Sequence, residues 1–392
     1  MMIRKVIGID IGKRRMYYCV TNEEGEILEE AAVLNTKSGF EELLELIQKH
    51  NCEIIFEATG VYSRRWQYFL ELNQMDYVRM NPLQAKKEMD TLRNTKNDRV
   101  DARKLAVLQL QHHYQPTYIE DEVYRELRRK GRFYQLINQE KASAKNRVKR
   151  LVEETFSNVA AVLNPTTEQL SQVMAVIPHA EILKTKTDDE LVALLAETIK
   201  QEPTRRRLVQ VIRQAASTAS VAVPVDSFAV KELRYWAKQV LELDQLKNDI
   251  VDDMLAGAGD LEEVDILTSI PGIGNALGIN LLAELGDIKR FATPQKLTAF
   301  VGLDVRFSDS GEVKTSGFIS KRGSSTARKT LYLAFLKIIM MDKTEQFELT
   351  RWYRRRTRDM TGNKKKIIVG GMDRTLRLIY HLVTHHERFQ LA

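Results

Sequence analysis

"KVIGIDIGK", residues 5–13, decides how the first third of the chain is read. Val6, Ile7, Ile9 and Ile11 make a short apolar run that closes on Asp10 and Gly12. A run of this length predicts a buried strand with a carboxylate at its end. Outward from it, "MYYCVTN" (16–22) and "GEILEEAAV" (25–33) read as further strands. Then "GFEELLELIQKH" (39–50) is an amphipathic helix, "CEIIFEA" (52–58) a strand, "RRWQYFLELNQ" (64–74) a helix and "DYVRMN" (76–81) a strand. "DRVDARKLAVLQLQ" (98–111) has the apolar spacing of a helix. Strands first, then β–α alternation, predict a mixed α/β sheet with helices packed on it.

Beyond residue 124 the rhythm changes. Tyr134, Ile137, Ala144, Val148 and Leu151 fall on a 3–4 spacing, with Lys141 at one seam position. The spacing returns at Leu233, Trp236, Val240, Leu243, Ile250 and Met254, with Lys247 among them. Two heptad-like helices predict an antiparallel coiled-coil arm or a dimerisation element; the plain alternative is packing against a globular core. Residues 160–230, with Pro165, Pro178, Pro203 and Pro224 between helical pieces, read as a helical insertion. The expected organisation is an α/β domain over 1–124, a helical region over 125–261 and a mainly helical domain over 262–392.

The bulk numbers restrict the class. A chain of 392 residues is too long for one ordinary core. Hydrophobic content of 43% with 29% charged residues fits a soluble, folded protein. No apolar run approaches the roughly 20 residues that span a bilayer, and the start reads as strand rather than signal peptide. Two cysteines, Cys19 and Cys52, cannot form a disulfide framework or a zinc ribbon, so a reducing cytoplasm is expected. His381, His385 and His386 lie close together without acidic or cysteine partners that would make them a metal site.

Charge is uneven. Residues 310–392 hold 18 Lys and Arg against 7 Asp and Glu, while the whole chain carries only +7. A second basic segment, 125–150, holds ten Lys and Arg against Glu126 and Glu140. Clustered positive charge favours a polyanion, because each neutralised phosphate releases counterions. The expected backbone contacts are Arg128, Arg129, Lys130, Lys145, Arg147 and Lys149 in one segment and Arg354, Arg355 and Arg356 in the other.

Four carboxylates stand out. Asp10 and Glu57 end apolar strands, and Asp98 and Asp101, three apart, share one face of a helix. Carboxylates gathered at one rim repel one another unless cations lie between them, and two magnesium ions clamping a scissile phosphate are the well-known use of such a set. The same "GIDIG" opens sugar-kinase and actin-like ATPases, but "PGIG" and "VGG" are not the later phosphate loops that reading needs. Asp98 and Asp101 also have Arg99 and Arg103 beside them as ordinary salt-bridge partners.

Downstream, "IPGIG" (270–274) between two apolar segments reads as a helix-hairpin-helix, with Gly272 and Gly274 letting backbone N–H groups approach a phosphate. In "SDSGEVKTSGFISKRGSS" (308–325), glycine follows Ser310 and Ser316, and Lys314, Lys321 and Arg322 are phosphate-binding cations. A nucleophilic serine needs exposure, cations and a route for its proton. On chemistry alone Ser308, Ser310, Ser316 and Ser320 stay open as candidates, beside a plain polar turn.

Together, "GIDIGK", "FEATGVY", "NP", "KNDRVDARKLA", "IPGIG", "FATPQKLTAFVGLDVRFSDSG" and "ISKRGSSTARKTLYLA" closely resemble the DEDD-type transposases of the IS-one-ten insertion sequences, also described as bridge-RNA-guided recombinases. The resemblance implies a RuvC-like (RNase H-type) mixed-sheet domain, a coiled-coil middle and a C-terminal transposase domain. It places the D-E-D-D set on Asp10, Glu57, Asp98 and Asp101, and the nucleophilic serine, before glycine and after "GLDVR", on Ser310. It implies magnesium, a noncoding bridge RNA, target and donor DNA, and a homo-oligomer (dimer or tetramer) at the prokaryotic nucleoid, with no membrane partner. Residues 160–230 are longer than a simple coiled-coil connection needs. Two rivals are a hydrolytic RuvC-like nuclease, in which Ser310 is only loop, and a non-catalytic RNA–DNA scaffold.

Overall fold

The computed structural model describes residues 4–89, 97–163, 168–306, 309–310, 313–314, 318–358 and 364–390. They fall into two compact units, Met1–Ile119 and Glu120–Ala392.

The first unit is one mixed five-stranded sheet with helices on both faces. Its strands are β1 (Lys5–Ile11), β2 (Arg15–Asn22), β3 (Ile27–Leu34), β4 (Glu53–Glu57) and β5 (Tyr77–Met80), in the order β3-β2-β1-β4-β5. β1, β2 and β3 pair antiparallel; β4 and β5 extend the sheet in parallel on the other side of β1. The helices are α1 (Lys37–His50), α2 (Gly60–Leu72), α3 (Pro82–Met89) and α4 (Asp98–His112). The sequence reading anticipates every element here except α3, whose polar "PLQAKKEM" has little apolar periodicity.

Because side chains alternate along a strand, β1 feeds two cores. Ile7, Ile9 and Ile11 join Phe40, Leu43, Trp66 and Leu70 of α1 and α2 on one face. Val6 turns the other way, to Ile55, Leu105 and Ala106 under α4. Burial on both faces explains why β1 shows no polar alternation in sequence.

The second unit is mainly helical. Its first segments are α5 (Glu122–Thr155), α6 (Val159–Val162), α7 (Gln169–Val176), α8 (Ile182–Thr185), α9 (Asp188–Leu195), α10 (Glu202–Ser217) and α11 (Phe228–Ala258). They are followed by α12 (Glu262–Ser269), α13 (Asn275–Leu285), α14 (Pro294–Val301), α15 (Ser325–Met341), α16 (Glu348–Arg358) and α17 (Lys365–Thr384). Between α14 and α15 lie four two-residue strands, β6 (Val305–Arg306), β7 (Asp309–Ser310), β8 (Val313–Lys314) and β9 (Phe318–Ile319).

α5 and α11 run antiparallel, as the ladder Lys130–Asp253, Lys141–Asp244, Arg150–Glu232 requires. The two helices face each other, and along their length they pack on globular cores, the plain alternative for the pair. Tyr124, Leu127 and Ile137 of α5 enter the core of α12–α15 and α17. Ala144, Val148 and Leu151 enter a separate core built from α7, α9 and α10. The 160–230 region thus closes a hydrophobic cluster of its own over one end of the α5–α11 pair.

Candidate active site and nucleic-acid surface

The carboxylate rim is built by register. β1 and β4 are paired in parallel up to Ile9 opposite Phe56, so Asp10 and Glu57 follow side by side at the same end. By the two-residue period they lie on the face of Val6 and Ile55, the face that α4 covers. Gly8 sets how closely α4 lies: a Cβ there would come 2.2 Å from the Ala102 carbonyl oxygen and 2.5 Å from the Ala106 nitrogen. Only a residue without a side chain allows this crossing. One turn upstream of Ala102, α4 begins at Asp98, with Asn97 as N-cap accepting from the Arg99 N–H at 3.2 Å. Asp98 and Asp101 both stand in its first turn, where the helix dipole favours negative charge. The far end of α4 is pinned through Gln109, which donates to Glu53 at 2.8 Å beside the Arg4–Glu53 ion pair.

Electrostatics report the convergence. Burial, then the charges of Asp98, Asp101 and Glu57, push the Asp10 carboxyl up to about 6, against a smaller lowering from the Ile11 backbone. The salt-bridge reading of Asp98 and Asp101 is corrected at Arg103. That guanidinium reaches across to Glu30 of β3, with Nη2 donating to Oε2 at 2.6 Å, because α4 crosses the antiparallel strands. The donor set is all carboxylate oxygen, the chemistry that suits a hard divalent cation such as magnesium. Among the described residues no three acidic, histidine or cysteine side chains form a closed ligand group. The four carboxylates therefore share one electrostatic site rather than a finished cage.

In the second unit, Ser310 is the last residue of β7, opposite Val313 at the start of a tight hairpin that also holds Lys314. β6 and β9 form a separate pair, Val305 with Ile319 and Arg306 with Phe318. Ser308 and Ser316 lie outside the described residues. Ser320 is accounted for structurally, since its hydroxyl donates to Asp304. Ser324 caps α15 and donates to buried Glu284 at 2.6 Å; Glu284 also pairs with Arg132 of α5 at 3.2 Å. Arg328, which the sequence reading passed over, holds the loop by donating to the Val301 and Gly323 carbonyls, both at 2.9 Å. Lys321 and Arg322 are exposed beside it.

The "IPGIG" turn joins α12 to α13. Gly272, at φ +92°, sits where a Cβ would meet the α15 backbone at Lys337, 2.7 Å away. Its glycine is required by internal packing. Gly274 is the N-cap of α13, and nothing lies within 4 Å of the position its Cβ would take.

Many of the basic residues in α5 are spoken for. Arg128 is held by Glu120, Lys130 by Asp253 at 2.8 Å and Lys145 by Glu168 at 2.7 Å, while Arg147 lies 4.0 Å over the Trp236 ring. Arg129 and Lys149 are exposed, with no ion pair among the described residues. In α16, Arg354 pairs with Glu345 at 2.7 Å and Arg355 loosely with Glu348 at 3.8 Å, leaving Arg356 exposed.

Comparison with known proteins now decides the family. Residues 7–157 match the model of the DEDD transposases of IS110, described as "Transposase", and residues 264–349 match the model described as "Transposase IS116/IS110/IS902 family". The chain belongs to the IS110 family of transposases. The matches take in the carboxylate rim at one end and the Ser310 hairpin at the other. Relatives of this IS110-family chain include the pilin gene-inverting protein of Moraxella bovis, 23% identical over 206 residues, which are 52% of this chain and 60% of the relative. The transposase for insertion sequence element IS1111A of Coxiella burnetii is 25% identical over 172 residues, 44% of this chain and 47% of the relative. The transposase for insertion sequence element IS1328 of Yersinia enterocolitica is 34% identical over 98 residues, 25% of this chain and 27% of the relative. The chain thus spans at most about three fifths of the length of these relatives. Among the described residues no helix is long and apolar enough to cross a membrane.

Proposed function

We propose that this IS110-family chain is a DNA transposase that cuts and rejoins the ends of its own mobile element. The observation that carries the reading is the rim where Asp10 and Glu57 end paired strands and Gly8 brings in the α4 end that bears Asp98 and Asp101. The same arrangement supports reading the first unit as RuvC-like. Asp10, Glu57, Asp98 and Asp101 would hold magnesium, which when bound polarises a phosphate and neutralises the charge that develops on it. Asp10, raised to about 6, keeps most of its carboxylate form at neutral pH and so remains available as an oxygen donor.

Ser310 is the nucleophile in this reading. Its Oγ attacks the scissile phosphorus and displaces a 3′ or 5′ oxygen, which takes up the proton the serine loses, forming a phosphoserine bond. Attack by the new strand's hydroxyl then releases the serine. One phosphoester is exchanged for another, so no external energy source is needed. Lys321, Arg322 and Lys314, on the same hairpin and loop, supply cations for the phosphate. Gly274 at the start of α13, together with Arg129, Lys149 and Arg356, would contact nucleic-acid backbones. Site choice rests on base pairing to a noncoding RNA, consistent with basic surfaces that hold backbones without reading sequence.

Incubating the chain with magnesium, the element's noncoding RNA and element-end DNA, then denaturing it, tests the reading. The expected product is a protein–DNA adduct that maps to Ser310 and disappears in Ser310→Ala. Free 5′-phosphate ends without adduct, with activity surviving in Ser310→Ala, would establish the hydrolytic nuclease instead.

A further inference from the structure

The outer face of α11 carries exposed aromatic rings and cations together. Phe228, Lys231, Tyr235 and Lys238 recur at steps of three and four, which places them on one face, with Arg234 at its edge. The opposite face, Val230, Leu233, Ala237 and Val240, is buried. Phe228 is 76% exposed and Tyr235 56%, so two aromatic rings stand in water about 10 Å apart, seven residues along the helix. Lys231, Arg234 and Lys238 are exposed and make no ion pair among the described residues. In α5, by comparison, Arg128, Lys130, Lys141 and Lys145 are neutralised internally, while Arg129 and Lys149 are exposed. Beside Tyr235, Trp236 meets its ring edge-on at 5.0 Å and carries Arg147 on its own face at 4.0 Å.

We infer that this face of α11 binds an unpaired segment of RNA. Unpaired cations attract a polyanion, and exposed rings offer π-faces on which bases stack irrespective of sequence. Rings two helical turns apart cannot follow a continuous base stack, so the bases they receive must be splayed from their neighbours. RNA loops and bulges present such bases, whereas a DNA duplex keeps its bases inside. The inference rests on the RNA-guided reading above and gives the region beside the 160–230 helices a partner.

Fluorescence anisotropy of the full chain with a labelled, unstructured RNA of roughly 12 nucleotides tests it, within the site sizes of stacking platforms. Phe228→Ala with Tyr235→Ala should weaken binding on the order of 10- to 100-fold, while Tyr235→Phe retains it because the stacking face remains. Lys231→Ala, Arg234→Ala and Lys238→Ala together should lower the slope of log K against log salt by about 2. All five side chains are exposed, and an unchanged melting curve confirms the fold. Wild-type binding of RNA with equal binding by the aromatic double variant overturns this surface and leaves RNA guidance standing. A wild-type chain that binds no RNA overturns both. Equal affinity and equal loss for the matching DNA strand overturns the choice of RNA, and a changed oligomer mass with unchanged RNA affinity assigns the face to a second copy instead.

Discussion

Gly8 and Ala102 are in backbone contact: a single methyl group added to Gly8 would lie 2.2 Å from the Ala102 carbonyl oxygen. That contact places the first turn of α4, and with it Asp98 and Asp101, over the ends of β1 and β4. Gly8→Ala should therefore do two things at once. Overpacking against backbone, which cannot rotate aside, should cost about 2–3 kcal/mol in the first unit. The displaced α4 should also abolish adduct formation at Ser310, although no candidate catalytic side chain has been touched. Denaturant titration and the adduct assay check the two effects; a variant with wild-type stability would show that α4 does not pack as closely as this.

Asp10 links activity to pH. Its folded value is raised to about 6 by burial and by its three acidic neighbours, above the usual carboxylate value. The sign follows directly. Ionised Asp10 is less favourable in the folded chain than in the unfolded one, so this group costs stability at neutral pH. That cost is relieved as pH falls through about 6 toward the unfolded value near 3.9. Asp10→Asn should accordingly raise the melting temperature at pH 7.5 while eliminating DNA cleavage. Magnesium should also raise the wild-type melting temperature at pH 7.5, much less so at pH 5, and scarcely at all in Asp10→Asn. Melting curves with and without magnesium at the two pH values measure this. Identical magnesium responses in wild type and Asp10→Asn would remove Asp10 from the ligand set.

The carboxylates were legible because each ends a recognisable pattern: Asp10 and Glu57 close apolar strands, and Asp98 and Asp101 share a helical spacing. Gly8 was not. A glycine inside a buried strand reads the same whether it permits a bulge or a crossing helix, and the helix that requires it lies more than 90 residues away. The fate of the basic residues was hidden for the same reason. Lys130 and Lys145 read as phosphate contacts in a cationic segment, but Asp253 and Glu168 reach them only after the chain returns. Conversely, the stripe on α11 was masked in sequence by Glu232, which borders it, and by Glu242, one turn beyond Lys238 on the same face.

Lys141 and Asp244 meet across the α5–α11 pair, at the seam position where the apolar spacing is interrupted. Burial alone would lower the Lys141 amine, but hydrogen bonds to Asp244 and Glu168 outweigh it and hold the amine above its ordinary value. For Lys247, burial and then the charge of Lys141 lower the amine, against a smaller raising from the charges of Asp244 and Glu168, and it lies 5.4 Å over the Tyr134 ring. Lys141→Met should leave Asp244 without its cation, whereas Glu168 keeps Lys145 at 2.7 Å. Breaking a buried pair costs about 3–5 kcal/mol, but the Asp244 side chain is 34% exposed, so the expected loss is nearer 2 kcal/mol. Because the folded amine is raised, this contribution is present throughout the neutral range and is lost only as pH rises past the lysine range. Replacing both partners, Lys141→Met with Asp244→Leu, should recover most of the loss, since an apolar pair leaves no stranded charge. Denaturant midpoints for the two single variants and the double variant form the test. A double variant no more stable than Lys141→Met would mean that the lysine stabilises the seam by its packing and not by its charge.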